Sequence, residues 1–290
     1  MATSFTNDPY ERARAGLKHL LDRDHDRIGV SGRSLVYDHG RRTPRAAVLF
    51  HGLSASPTQF AAVAEALYAR GYNVLVPRLP RHGYEDRMSD ALSRLTAAQL
   101  RASATESFEL ARGLGEHVTV VGFSLGGLLA AYLAQHEPVD CVVAVAPFLG
   151  IVLVPSLFRR PLTFWALRTR NRFAWWDPFL RDRQLPAHGY PRYSTHAVAH
   201  ALTIANDLLE AARADSPRAR RIVLVTNARE TAINNRAVNR LLQRWRKKKP
   251  EAVHAHRFDD LPLSHDIIEP LRHPDISQRV LRVLVELIDR

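Results

Sequence analysis

Short runs of nearly unbroken apolar, β-branched residues recur along this chain, and helical patterns fill the intervals between them. The runs are "RAAVLF" (45–50), "YNVLVP" (72–77), "HVTVVG" (117–122), "CVVAVAP" (141–147), "RIVLVT" (221–226) and "AVHAHRF" (252–258). A strand without polar alternation is buried on both faces, which is the condition of a parallel sheet covered by helices. An earlier run, "RSLVYDHG" (33–40), alternates more and reads as a more exposed strand. Between the runs lie "PTQFAAVAEALYARG", opened by Pro57 and closed by Gly71, and the amphipathic "TAAQLRASATESFELARGLG". "LGGLLAAYLAQ" is apolar nearly all round and predicts a buried central helix; "NNRAVNRLLQRWRKK" and "DISQRVLRVLVELIDR" close the chain. The alternation predicts an α/β architecture with a mostly parallel central sheet and helices on both faces.

One region breaks the rhythm. From about Leu149 to Arg218 the sequence holds prolines, three of the four tryptophans and the helical pattern "AVAHALTIANDLLEAARA", but no clean strand. The expected organisation is a first core part over 1–148, an inserted helical cap over 149–218, and a second core part over 219–290. Ligands of open α/β sheets bind at the carboxyl edge of the strands, where such a cap would lie.

The 290 residues, 46% hydrophobic, suffice for one large α/β domain. No stretch reaches the roughly 18–20 apolar residues of a membrane span. The charged N-terminal stretch lacks the apolar segment of a secretory signal. The single Cys141 excludes an intrachain disulfide and points to a reducing, cytoplasmic setting; in an apolar strand it reads as a small core residue with no neighbouring cation to activate it. The net charge of +12 comes almost wholly from scattered arginines. The one dense block, "RWRKKKP" (244–250), reads as a helix end stopped by Pro250 rather than a nucleic-acid patch.

Within "VVGFSLGGLLAAYLA" (120–134), Gly122-Phe123-Ser124-Leu125-Gly126 fits G-x-S-x-G. The string alone is weak evidence. Its setting, directly after a buried strand and before a buried helix, predicts a strained turn that lifts the Ser124 hydroxyl above the sheet edge. A serine needs a base, an orienting acid and donors for an oxyanion. His51-Gly52 turns off the end of strand 45–50 and leaves the Leu53 N–H free to face Ser124; the Leu125 N–H is the second expected donor. Of the 14 histidines, His265 follows the last strand and precedes the last helix, which brings it to the same edge. His254, His256 and His117 lie in strands, His273 precedes a proline in a surface turn, and His82 reads as structural. Glu230 lies just past strand 221–226, where a buried carboxylate would accept His265 Nδ1–H. Asp177 and Asp260 are weaker candidates for the acid, and Asp266 adjoins His265 too closely to reach its ring.

The order serine, acid, histidine, with His-Gly after one strand and G-x-S-x-G after a later one, resembles the α/β-hydrolase fold from about residue 30 to the end. "HGLSASPTQF", "NVLVPRLPRHG", "VVGFSLGG" and "SHDIIEP" resemble more narrowly its capped carboxylesterase and monoacylglycerol-lipase-like branch. The resemblance implies hydrolysis of short- to medium-chain or monoacylglycerol-like esters through an acyl-enzyme on Ser124, with His265 as base, Glu230 as acid, and Leu53 and Leu125 as the oxyanion hole. It implies no metal and no organic cofactor. Many relatives carry aspartate in place of Glu230, and Gly-His-Gly where this chain has Arg81-His82-Gly83, which puts a cation near the site mouth if that side chain turns inward.

Phe123, Trp175 and Trp176 are expected to line the substrate pocket, the last two from the aromatic run "NRFAWWDPFL"; gluing the cap to the sheet is the competing role. "LVPSLFRRPLTFWALRTR" mixes apolar residues with arginines, which suits weak contact of the cap with a membrane surface. The same machinery could serve a thioesterase, a serine aminopeptidase or an acyltransferase. A non-catalytic ligand-binding protein or a basic nucleic-acid-binding module is the remaining alternative, and no nucleic-acid partner is expected.

Overall fold

The computed structural model describes residues 8–24, 27–152, 154–155, 158–184, 186, 188–269, 271 and 274–290. Its centre is a seven-stranded sheet. In chain order the strands are β1 (Leu35–Tyr37), β2 (Thr43–Phe50), β3 (Tyr72–Val76), β4 (Gly115–Phe123), β5 (Cys141–Val145), a separate hairpin of β6 (Phe173–Trp175) and β7 (Arg192–Ser194), then β8 (Arg221–Asn227) and β9 (Val253–Phe258). The spatial order is β1-β3-β2-β4-β5-β8-β9. Every pairing in it is parallel except that of half-buried β1 with β3 at the edge. The order reverses at β2, so the chain winds outward in both directions from the middle and the loops of β2 and β4 meet at the carboxyl edge.

Alternate residues of each strand feed two cores. Val48, Val120, Val142 and Leu224 face one side, packed under α1 (Pro9–Leu21), α3 (Ala97–Leu114), α4 (Leu125–His136), α6 (Thr195–Ala214) and α7 (Asn235–Lys248). Leu49, Val121, Val143 and Val225 face the other, under α2 (Ala61–Tyr68) and α8 (Pro274–Asp289). Near-complete burial of these strands follows, as their apolar runs require. In α4, Leu128, Leu129 and Leu133 are fully buried, each contributing about 1.5–3 kcal/mol. That burial anchors the helix whose first residue follows Ser124.

The segment 149–218 is not uniform. Its helix α6 carries Ala201, Ile204, Ala205 and Leu208 into the main core, where it packs against α4. The described residues between 149 and 194 contain α5 (Arg159–Ala166) and the β6–β7 hairpin, strands that the sequence did not announce because each is three residues long. They lie against α6 and the core: α5 packs on α6 and Arg159 bonds to Asn206, while Leu149 and Tyr190 join the main core. Cys141 is buried as expected, and burial raises its thiol pKa, but a cation does sit beside it: Arg221 donates to Sγ at 3.1 Å. The arginine comes from the neighbouring strand β8, so the local sequence of β5 carries no sign of it. The basic block ends α7 at Lys248, and Lys248 and Lys249 donate to the carbonyls of Arg213 and Ala219.

Candidate active site

Ser124 occupies the turn between β4 and α4 with φ 55° and ψ −110°, a conformation that costs a non-glycine residue free energy. Backbone bonds hold it there: its N–H donates to Val145 O at 2.9 Å, and its carbonyl accepts from Leu128 and Phe148 at 2.9 and 3.0 Å. A Cβ on Gly122 would stand 2.0 Å from the Gly126 carbonyl oxygen, and one on Gly126 would stand 1.8 Å from that of Phe50. Serine at a helix start usually caps the helix. Here its hydroxyl makes no cap bond, and the Leu125 N–H heads a buried helix without an intrahelical acceptor.

The hydroxyl goes instead to His265, whose Nε2 lies 2.8 Å from Ser124 Oγ. His265 Nδ1 lies 3.0 Å from both carboxylate oxygens of Glu230. The Glu230 side chain is 1% exposed, so its charge must be met within the protein. Burial pushes its carboxyl pKa up, but the hydrogen bond and charge of His265 and the N–H groups of Ala232 and Ile233 outweigh burial and hold it below the usual carboxylate range. An ionised carboxylate only accepts, so Nδ1 carries a proton toward Glu230, which leaves Nε2 as the nitrogen that can accept from the Ser124 hydroxyl. The Phe123 ring stacks on His265 at 4.9 Å.

Asn227, at the end of β8, ties the two loops that supply these groups. Its buried amide donates to the carbonyls of Pro262 and Ser264 at 3.1 and 3.0 Å, just ahead of His265. Nothing in the sequence marked it beyond its place at a strand end.

The loop after β2 supplies Leu53. Among the described residues no acceptor takes the Leu53 N–H. Its neighbours are all engaged: Gly52 N–H donates to Gln59 Oε1 at 2.9 Å, and Ser54 N–H donates to His82 Nε2 at 3.2 Å. His82 Nδ1–H in turn donates to Pro80 O at 2.9 Å. His51 is held likewise, with Nε2 accepting from Leu79 N–H and Nδ1–H donating to Gly52 O. Burial lowers the pKa of His82 to about 4, and burial together with the nearby His82 lowers that of His51 well below the ordinary value. Both rings are therefore neutral fixtures of the loop. The paired His-Gly dipeptides at 51–52 and 82–83, each just past a strand, were the one available signal of this arrangement.

A cavity of about 480 Å³ opens above Ser124. Its walls include Phe123, Trp176, Leu263, Arg87 and Gln184 together with Leu53. Trp176 is part of that wall, whereas Trp175 pairs with Arg192 in the β6–β7 hairpin and is not among the lining residues. Adjacent residues of an extended chain point to opposite faces, so only one of the two indoles can reach the cavity. Arg81 lines a separate cleft with Asp24 and Ser34. The cation at the cavity is Arg87, which no sequence motif marks; it donates to the carbonyls of Asp182, Gln184, Pro186 and Gly189.

Of the remaining candidates, Asp266 also lines the cavity, next to His265. Asp177 accepts from the Phe179 and Leu180 N–H groups, Asp260 pairs with Arg279, and Asp266 accepts from Gln59 Nε2 at 3.4 Å. His254 and His256 lie on β9, His117 lies on β4 beside Asp140, and His273 is outside the described residues. Among the described residues no group of three His, Cys, Asp or Glu could hold a metal ion, and no helix is long and apolar enough to cross a membrane.

The chain is similar to known proteins. Over 116 residues the chain is 34% identical to the thermostable monoacylglycerol lipase of Bacillus sp. (strain H-257), a match covering 39% of this chain and 44% of that protein. Over 146 residues it is 32% identical to an AB hydrolase superfamily protein of Gibberella zeae, covering 46% of this chain and 48% of that one. Each match thus spans less than half the relative's length. The crystal structure of Paleococcus ferrophilus monoacylglycerol lipase has the same fold, with a TM-score of 0.67 at 19% identity over 88% of this chain and 98% of that one. A family model, the alpha/beta hydrolase family, matches residues 47–275 of the 290. That match takes in the strand before Leu53, the turn at Ser124 and the loop of His265 together, and the chain belongs to the alpha/beta hydrolase family.

Proposed function

We propose that this chain is a serine esterase that cleaves short- to medium-chain or monoacylglycerol-like carboxylic esters through an acyl-enzyme on Ser124. The observation that carries the reading is the unbroken array Ser124–His265–Glu230, with contacts of 2.8 and 3.0 Å. Ser124 Oγ attacks the ester carbonyl carbon while its proton passes to His265 Nε2. Glu230 stabilises the imidazolium through Nδ1–H, and the oxygen of the tetrahedral intermediate takes bonds from Leu53 and Leu125 N–H. Collapse breaks the bond to the alcohol, which leaves with the proton from Nε2. A water then gives its proton to the same nitrogen, attacks the acyl carbon, and releases the acid and free Ser124.

The inserted segment 149–218 acts as the cap in this reading, and Phe123 and Trp176 contact the acyl group. The exposed Phe158, Leu162 and Trp165 on and beside α5, flanked by Arg160 and Arg168, favour weak contact of that cap with an anionic lipid surface. The lone buried thiol fits a cytoplasmic setting.

The test is labelling of the folded protein by a fluorophosphonate and turnover of p-nitrophenyl esters, beside thioester and amide substrates. Ser124→Ala abolishes both labelling and turnover. Glu230→Gln lowers kcat by roughly ten-thousandfold while the protein stays folded, because the base loses the partner that fixes its tautomer. Turnover of esters by Ser124→Ala at the wild-type rate would sink the reading, and near-normal activity in Glu230→Gln would move the acid to another carboxylate.

A further inference from the structure

Ser54 is buried and holds φ at 63°, in the left-handed region that a serine occupies only when its surroundings enforce it. All of its polar groups are in use. The N–H donates to neutral His82, the carbonyl accepts from Tyr190 N–H at 2.7 Å, and the hydroxyl donates to Leu53 O at 2.5 Å. The hydroxyl also accepts from the indole Nε1–H of Trp176 at 2.6 Å. Of the partners that hold Ser54, Leu53, Tyr190 and Trp176 line the cavity, and Trp176 is the one whose side chain reaches the Ser54 hydroxyl; its ring is tilted on Tyr193 at 4.3 Å. Trp176 is 42% exposed; its backbone N–H donates to Pro191 O at 3.1 Å, and its indole is held by the Ser54 hydroxyl and the Tyr193 ring. One side chain therefore touches both the space that an acyl chain must enter and the residue next to Leu53.

Resting on the esterase reading above, we infer that Trp176 limits acyl length and, through Ser54, positions the Leu53 N–H for the oxyanion, so that chain length is selected in kcat rather than in KM. A short acyl group fits the cavity with the indole seated. A longer one displaces the ring. Ser54 then loses the bond that helps to hold its strained backbone, the Leu53 peptide relaxes, and one oxyanion donor leaves its line. The longer ester still gains apolar contact on binding, so its KM does not rise while its kcat falls. Trp176 acts here as a positioning residue, since it reaches the reacting oxygen only through Ser54 and Leu53.

The experiment measures kcat and KM separately for p-nitrophenyl acetate, butyrate, octanoate and laurate, on the full chain and on Trp176→Phe, Trp176→Ala and Ser54→Ala. For the wild type, kcat falls as the acyl group lengthens while KM holds or drops. Trp176→Phe keeps an aromatic wall but has no N–H to give. Its kcat on acetate falls by between about tenfold and a hundredfold, since the oxyanion donor is misplaced rather than removed, and KM stays within about twofold. Its kcat also loses the dependence on acyl length. Trp176→Ala shows the same loss on acetate and a lower KM for laurate. Ser54→Ala costs no more in combination with Trp176→Phe than alone, because both break one connection.

A Trp176→Phe protein with wild-type kcat and the wild-type length profile overturns the inference. So does full additivity of the two substitutions, or a loss confined to KM. Should Ser54→Ala fail to fold, the exposed Trp176→Phe substitution decides alone. Fluorophosphonate labelling of the wild type separates the two levels. A folded wild type that is not labelled removes the esterase reading and this inference with it, whereas a labelled, active wild type whose Trp176 variants are unchanged removes this inference only.

Discussion

The two proposed oxyanion donors, the N–H groups of Leu125 and Leu53, are held by the chain in different ways. Leu125 sits in a turn fixed by backbone alone, through the bonds of Ser124 to Val145, Leu128 and Phe148 and the close approach of Gly122 and Gly126 to neighbouring carbonyls. Leu53 sits in a loop held in large part by side chains, Gln59 nearby in the chain and His82 and Trp176 far from it, with backbone bonds from Tyr190 to Ser54 and from Ala55 to Gly52 and with Ser56 bonded to His188 at its far end. Backbone contacts at van der Waals limits have no soft coordinate to yield along. Side-chain ties can be lost singly. The turn should therefore be brittle and the loop tolerant, and the difference is measurable.

The largest effect is expected at the turn. Gly126→Ala puts a methyl group 1.8 Å from the Phe50 carbonyl oxygen and 2.8 Å from that of His51. Both are main chain of the central strand and its exit, so neither can rotate aside. The substitution should cost more than about 4 kcal/mol, in the range reserved for a severe structural fault, and leave little folded protein. A thermal melt within a few degrees of wild type would show that the turn has slack.

The same contrast explains what could be read from the sequence. The sheet, the turn and its two glycines follow from local pattern: an apolar strand, a tight turn, an apolar helix. Glu230 and His265 were legible because strand ends in a parallel sheet converge on one edge, whatever the side chains between them. Ser54, Gln59, Asn227 and Arg87 were not, since each acts through a partner far away in the chain, and no spacing rule links Trp176 to Ser54 or Arg87 to the carbonyls around Gly189. Trp175 was expected in the pocket with Trp176 because composition could not say which face of the hairpin looked inward. The packing of helix α6 on both α4 and α5 is likewise a tertiary fact, invisible in its periodicity.

A smaller effect is expected at the loop, and it depends on pH. His82 is fully buried and its pKa is lowered to about 4 from 6.5. Between those values the unfolded chain binds a proton that the folded chain does not, so stability rises with pH across that window and is lost as pH falls through it. At about 1.4 kcal/mol per pH unit, the contribution present above the window and gone below it is about 3 kcal/mol. Protonation also removes the Nε2 lone pair that accepts from Ser54 N–H, so activity should fall with stability on this acid limb. His82→Gln should be less stable than the wild type at neutral pH and should flatten the loss of Tm between about pH 6.5 and 4. Parallel acid melts of the two proteins would assign the limb to other groups.

The smallest effect tests whether the loop's ties are separable. Ser56 is buried and bonds through Oγ to His188 Nδ1 at 3.0 Å, while the other ring nitrogen of His188 stands 3.2 Å from Glu269. This connection lies three residues from Leu53, beyond Ser54 and its own set of bonds. Ser56→Ala removes one hydrogen bond and leaves a buried ring nitrogen without its hydroxyl, yet keeps every contact of Ser54. It should cost about 1 kcal/mol, or a Tm lowered by about 2–4 °C for a chain of this size, with kcat on short esters unchanged. A fall in kcat comparable to that of Trp176→Phe would mean that the loop moves as one rigid piece, and that its many side-chain ties share one strain instead of each holding its own residue.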